Sequence, residues 1–130
     1  MIKWMSNQCL PLNIGFCDCE KDWQKLMQEF KSTDSPFLEV GAQACTHYFD
    51  HENGEKSAIV TIDAKDFMGR KMWQVAGLLA HEATHVMQYS KMAMRERVGG
   101  VEFEAYIVHG VTQWMFELWA TSKIKLRGKK

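Results

Sequence analysis

Two long stretches of helical periodicity, residues 71–90 and 101–121, follow one another with only residues 91–100 between them. The two prolines are Pro11 and Pro36, so neither stretch contains the residue that would break it. Gly99-Gly100 closes the connection and supplies a turn-back. A chain with this arrangement must lay the second helix back along the first. On residues 71–90, Leu79, Val86, Ala83, Ala76, Met87 and Ala80 gather on one side, while His81, Glu82, His85, Leu78 and Tyr89 fall within roughly 100° of one another on the other. The apolar side suits a core. The polar side carries the phrase His81-Glu82-Ala83-Thr84-His85.

Residues four apart on a helix sit about 6 Å apart along its axis and share a face, so the two imidazoles can grip one divalent ion. Glu82 lies on the same side, where its carboxylate can act on a water bound by that ion. A catalytic zinc site needs a third protein ligand and one open position. On residues 101–121 the apolar members are Val101, Ile107, Val108, Val111, Trp114, Met115, Leu118 and Trp119. Glu104 falls at the centre of that stripe, whereas Glu102 points to the polar side with Gln113 and Glu117. A lone carboxylate on an apolar stripe is costly unless a cation meets it. Glu104 is therefore the candidate third ligand. The alternative is a first-turn carboxylate that answers the helix dipole.

Upstream, residues 20–31 read as an amphipathic helix through Trp23, Leu26, Met27 and Phe30, ended by Ser32 to Pro36. Residues 44–51 and 56–63 read as a β-hairpin around Asn53-Gly54. A two-residue turn there pairs Phe49 with Ala58, His47 with Val60 and Cys45 with Ile62, on a face that packs on the helices and could bring His47 to the site. Thr46, Tyr48, Ile59 and Thr61 take the other face. Residues 1–19 look irregular. Trp4, Trp23 and Trp73 could form a binding surface, although aromatics at helical spacing more often belong to a core; Trp114 and Trp119 read as core.

Length and composition fit one domain. The 130 residues are 46 % hydrophobic with a net charge of zero, which gives no global pull toward nucleic acid, membrane or acidic substrates. Residues 1–13 lack the apolar core of a signal peptide, and no run approaches a membrane span, so the expectation is a soluble, cytoplasmic protein. Cys9, Cys17, Cys19 and Cys45 form no Cys-x-x-Cys pair and read as reduced thiols. Lys123, Lys125, Arg127, Lys129 and Lys130 make a basic tail, expected to be solvated and frayed.

His-Glu-Ala-Thr-His-Val-Met-Gln, followed by Glu102-Phe103-Glu104-Ala105-Tyr106, resembles the gluzincin metallopeptidases, and especially small metallopeptidases encoded by bacteriophages and prophages. The resemblance is clearest over residues 44–119. It implies an α+β, minimal zincin-like domain: a hairpin or small antiparallel sheet packed on the motif helix and on a following Glu-ligand helix, with an N-terminal helix added. The chain then divides into an N-terminal extension and helix (1–43), the core (44–119) and the basic tail (120–130). His81, His85 and Glu104 match the ligands of one zinc ion per chain, and Glu82 matches the general base. The resemblance also implies that a strand beside the motif helix pairs with a peptide substrate, here through residues 56–63. The larger members add a second lobe and an oxyanion-stabilising Tyr and His. This chain is too short for that lobe. Tyr89, one turn beyond His85, is the best-placed substitute, ahead of Tyr106 and His109, which fall on the polar side of the last helix. The implied activity is peptide-bond hydrolysis, with a peptide or protein as partner and no nucleic acid or membrane. The alternative is a zinc-binding, phage-type interaction module without proteolytic activity.

Overall fold

The computed structural model describes residues 2–6, 10–32, 35–95 and 100–128, with the side chains of 123–128 excepted. Its centre is one strand. β4 (Lys56–Ile62) is buried from Ser57 to Ile62 without a break. An uninterrupted run of Ala, Ile, Val, Thr and Ile suits a strand covered on both faces. β3 (Ala44–Asp50) lies antiparallel to it on one side, and β2 (Asn13–Cys17) lies parallel to it on the other. β1 (Lys3–Trp4) pairs antiparallel with β2, giving a sheet of order β1-β2-β4-β3. The Trp4 ring lies over Gly15. A Cβ there would stand 3.0 Å from the indole, so glycine is what lets the strand pass beneath it.

The protein is therefore α+β with a small mixed sheet, not the purely antiparallel one expected. The difference lies in Asn13-Ile14-Gly15-Phe16-Cys17, which reads as irregular in a window holding Pro11 and a glycine. It becomes a strand because β4 offers it a pairing edge and both faces of the sheet offer apolar cover.

Helices cover both faces. α1 (Glu20–Glu29) places Trp23, Leu26 and Met27 against Cys17 and Ile59, with Phe30, Phe37 and Phe49 at the margin. The Trp23 indole N–H donates to the Ser35 carbonyl at 2.9 Å, which ties down the chain after the helix. The opposite face carries α3 (Met72–Ala93) and α4 (Val101–Gly128). Val75, Leu79, Ala83 and Val86 of α3 meet Ile107, Val111, Met115 and Trp119 of α4 over Ile14, Phe16, Ala58, Val60 and Ile62. The short α2 (Ala64–Met68), capped by the Asp63 carboxylate, buries Phe67 in the same core. The long apolar stripes read from the sequence thus face inward, except for Val101 at the start of α4, which is exposed. Trp119 and Trp23 are core, Trp114 is half-buried against Phe16, and Trp73 is exposed. α4 continues to Gly128, through much of the stretch expected to fray. Among the described residues no helix is long and apolar enough to cross a membrane, and Cys17, Cys19 and Cys45 are free thiols; Cys9 lies outside them.

The hairpin register differs by one residue from a two-residue turn. Phe49 pairs with Ser57, His47 with Ile59 and Cys45 with Thr61. The His51 N–H donates to the Glu55 carbonyl at 2.8 Å and the Gly54 N–H to the His51 carbonyl at 3.0 Å, so the loop is Glu52–Gly54. Gly54 sits at φ 89°, the left-handed position of a three-residue hairpin loop. Asn53-Gly54 marks the turn correctly but belongs to the longer loop. A slip of one residue exchanges the faces of a strand. Ala44, Thr46 and Tyr48, with Ala58, Val60 and Ile62, therefore face α3 and α4, while Cys45, His47 and Phe49 face α1.

Candidate metal centre

α3 owes its length to Ala, Leu, Met and Gln and to the absence of proline. Its inner stripe docks on α4 and the sheet, which turns the opposite edge toward β3 and the loop at residues 39–43. A cleft opens there, lined by Thr46, Trp73, Leu78, His81, Glu82, His85 and Tyr89 among others. His81 is exposed, His85 is partly covered, and Glu82 is only 5 % exposed.

The ligand atoms of His81, Glu82 and His85 lie within 4.8 Å of one another, a group that could hold a metal ion. The two Nε2 atoms are 3.3 Å apart. Two nitrogens bound at about 2.0–2.1 Å to a tetrahedral ion would stand about 3.3–3.4 Å apart. The pair therefore already has the bite of a chelate. The His85 Nδ1–H donates to the Gln88 amide oxygen at 3.0 Å. That bond assigns the proton to Nδ1 and leaves the Nε2 lone pair free, as a metal-binding imidazole requires. Without a metal, one proton can join the two Nε2 atoms; a divalent cation would replace it.

Glu82 is held from the sheet. The Thr46 hydroxyl stands 3.3 Å from both the Glu82 carboxylate Oε1 and its backbone carbonyl, as donor to either. Burial pushes the Glu82 carboxyl above its ordinary range, and the neighbouring His85 and His81 and the Thr46 hydroxyl only partly offset this. The sequence reading names neither Thr46 nor Gln88 as a site residue. Gln88 was within reach of it, three residues beyond His85 on one helix face. Thr46 was not, because the one-residue register difference hides which face it takes.

The remaining candidates are placed as follows. Glu104 receives the Lys91 ammonium at 2.5 Å, joining the start of α4 to the end of α3, and is not part of the His81–Glu82–His85 group. The cation that meets this carboxylate here is a lysine. Tyr89 lines the cleft, its ring stacked on Tyr48 with centroids 5.0 Å apart. His47 faces away from the cleft. It lies 3.0 Å from the Thr61 hydroxyl, 3.2 Å from the Phe37 carbonyl and against the Trp23 ring, and burial lowers its pKa below the ordinary histidine value. Tyr106 and His109 line a separate shallow groove on α4, where His109 bonds Gln113. β4, the strand expected to receive substrate, is paired on both sides; among the described residues the free edge beside α3 is β3.

Searches among protein-family models, curated proteins and solved structures match nothing to this chain.

Proposed function

We propose that this chain is a zinc-dependent peptidase of the zincin type. The observation that carries the reading is the pair of Nε2 atoms 3.3 Å apart beside the buried Glu82 carboxylate, in a cleft flanked by a free strand edge. His81 and His85 would hold the ion, and Glu104 is the carboxylate proposed as third ligand, a role that means leaving Lys91. Zinc, when bound, supplies Lewis acidity toward a carbonyl and toward water.

The chain's own residues supply the rest. An extended peptide adds to the free edge of β3, whose unpaired backbone groups fix its direction. Glu82 takes one proton from the attacking water and delivers it to the departing amine, so that amide and water become acid and amine. Thr46 holds the carboxylate in place. Tyr89 is the proposed donor to the carbonyl oxygen on the cleft side of His85.

A second reading is favoured by the Lys91–Glu104 ion pair. Here His81, Glu82 and His85 form the whole ligand set, and the metal stabilises an interaction module that cuts nothing. Glu82→Gln separates the two. A general base replaced by its amide leaves zinc bound and abolishes hydrolysis of unfolded protein substrates. A ligand replaced by its amide releases the zinc. Full hydrolysis by the variant would refute the role of Glu82 in either form.

A further inference from the structure

Eight residues before His81, on the same face of α3, Trp73 stands 71 % exposed. Residues 73, 77, 81 and 85 recur every four positions and form a row that winds slowly round the helix, about 40° at each step. The second of them is Gly77, and a Cβ built there would meet nothing within 4 Å. The helix therefore presents a bare notch between an exposed indole and the histidine pair. Trp73, Gly77, Leu78 and His81 line one continuous cleft, with Ala42 and Gln43 also on its wall. The Lys71 ammonium lies 5.2 Å from the Trp73 ring centroid. The ring nevertheless keeps most of its surface open to solvent, although two other tryptophans of this chain, Trp23 and Trp119, are buried. A rigid aromatic left open at the end of a cleft suits an apolar group arriving from elsewhere.

We infer that Trp73 is a specificity-determining subsite, which selects peptides bearing an aromatic or large apolar side chain three to four residues from the bond that is cut. The inference rests on the peptidase reading and deepens it by naming the substrate class. The distance comes from two repeats. Eight helical residues advance about 12 Å. An extended peptide advances about 3.3 Å per residue, so about three to four of its residues span the gap. Gly77 leaves room for the intervening side chains, which lie over bare backbone and are not selected. Trp73 is thus a binding residue that sets the register of the substrate, apart from the groups that do chemistry.

The test uses blocked decapeptides of alanine and serine carrying one Phe, moved one position at a time, beside the Phe-free parent. Binding is measured by calorimetry in the presence of zinc on the Glu82→Gln chain, with and without Trp73→Ala. Trp73 is exposed, so its replacement leaves the core intact. Phe peptides should bind about tenfold more tightly than the parent, and Trp73→Ala should remove that advantage. Equal affinity for Phe-bearing and Phe-free peptides, or an advantage that survives Trp73→Ala, overturns the proposal. Mass spectrometry of products from the chain with Glu82 intact should place the cut three to four residues from Phe. Cleavage in a register indifferent to Trp73 sinks the subsite and leaves the peptidase standing. Trp73-dependent binding with no cleavage of any peptide sinks the peptidase and leaves the subsite.

Discussion

Gln88 offers a sharp test of the metal centre because it touches no ion in any version of the site. It acts through one hydrogen bond, 3.0 Å from His85 Nδ1. Removing such a partner to a ligating imidazole typically costs about 10–100-fold in metal affinity, or about 1.4–2.7 kcal/mol. Gln88→Ala preserves helix propensity and removes the acceptor. With zinc in large excess, the lost affinity appears in full as lost stability of the loaded protein. At about 2.1 cal/mol/K per residue, unfolding 130 residues carries about 270 cal/mol/K, so each kcal/mol moves Tm by about 3.7 °C. The zinc-loaded variant should therefore melt about 5–10 °C below the zinc-loaded parent. Without zinc the two should agree within about 2 °C, since exposed substitutions change stability by about 0.5 kcal/mol or less. Differential scanning calorimetry with zinc and with chelator measures both numbers. Equal losses in the two conditions would refute the argument, because Gln88 would then support only the helix.

Four further outcomes follow from other parts of the structure. Lys91→Met frees Glu104 from a partly exposed ion pair worth about 1 kcal/mol at most, so zinc affinity should rise by up to about fivefold; a rise that persists in Lys91→Met with Glu104→Gln would remove Glu104 from the ligand set. Thr46→Val takes away the hydroxyl that steadies Glu82, and should lower kcat with little change in zinc content by elemental analysis; loss of zinc instead would show that Thr46 acts on the ligands. Leu79→Ala empties a fully buried position between α3 and α4 and should cost about 2–5 kcal/mol in urea unfolding; a smaller loss would mean that the helices can close the gap. The lowered pKa of His47 means the unfolded chain binds its proton more readily than the folded one. Its contribution to stability is therefore complete above the ordinary histidine value of about 6.5 and is lost as pH falls through the lower folded value. His47→Gln should flatten that part of the stability–pH curve, and an unchanged slope would show that another group carries it.

What the sequence determined by itself is what a helix decides over one or two turns. His81 and His85 share a face because they are four apart, and Gln88 reaches His85 because it is three further on. The inner stripes of α3 and α4 are equally local, and the core uses the Leu79, Ala83 and Val86 side of one with the Ile107, Val111, Met115 and Trp119 side of the other. Tertiary structure decided everything that depends on pairing between distant segments. Gly54, placed in a three-residue loop, slipped the hairpin by one residue, turned Thr46 toward Glu82 and carried His47 to the far face. Residues 13–17 became a strand only because β4 had an edge to fill, and in filling it they left β3 as the free edge beside the cleft. Glu104 shows both halves at once. Helical periodicity places its carboxylate on an apolar stripe where it must meet a cation. The end of α3 packs beside the start of α4, and the connection at residues 96–99 lies outside the described residues. That end supplies the cation as Lys91, because a carboxylate leaving water is stabilised by whichever positive charge the packing delivers within reach.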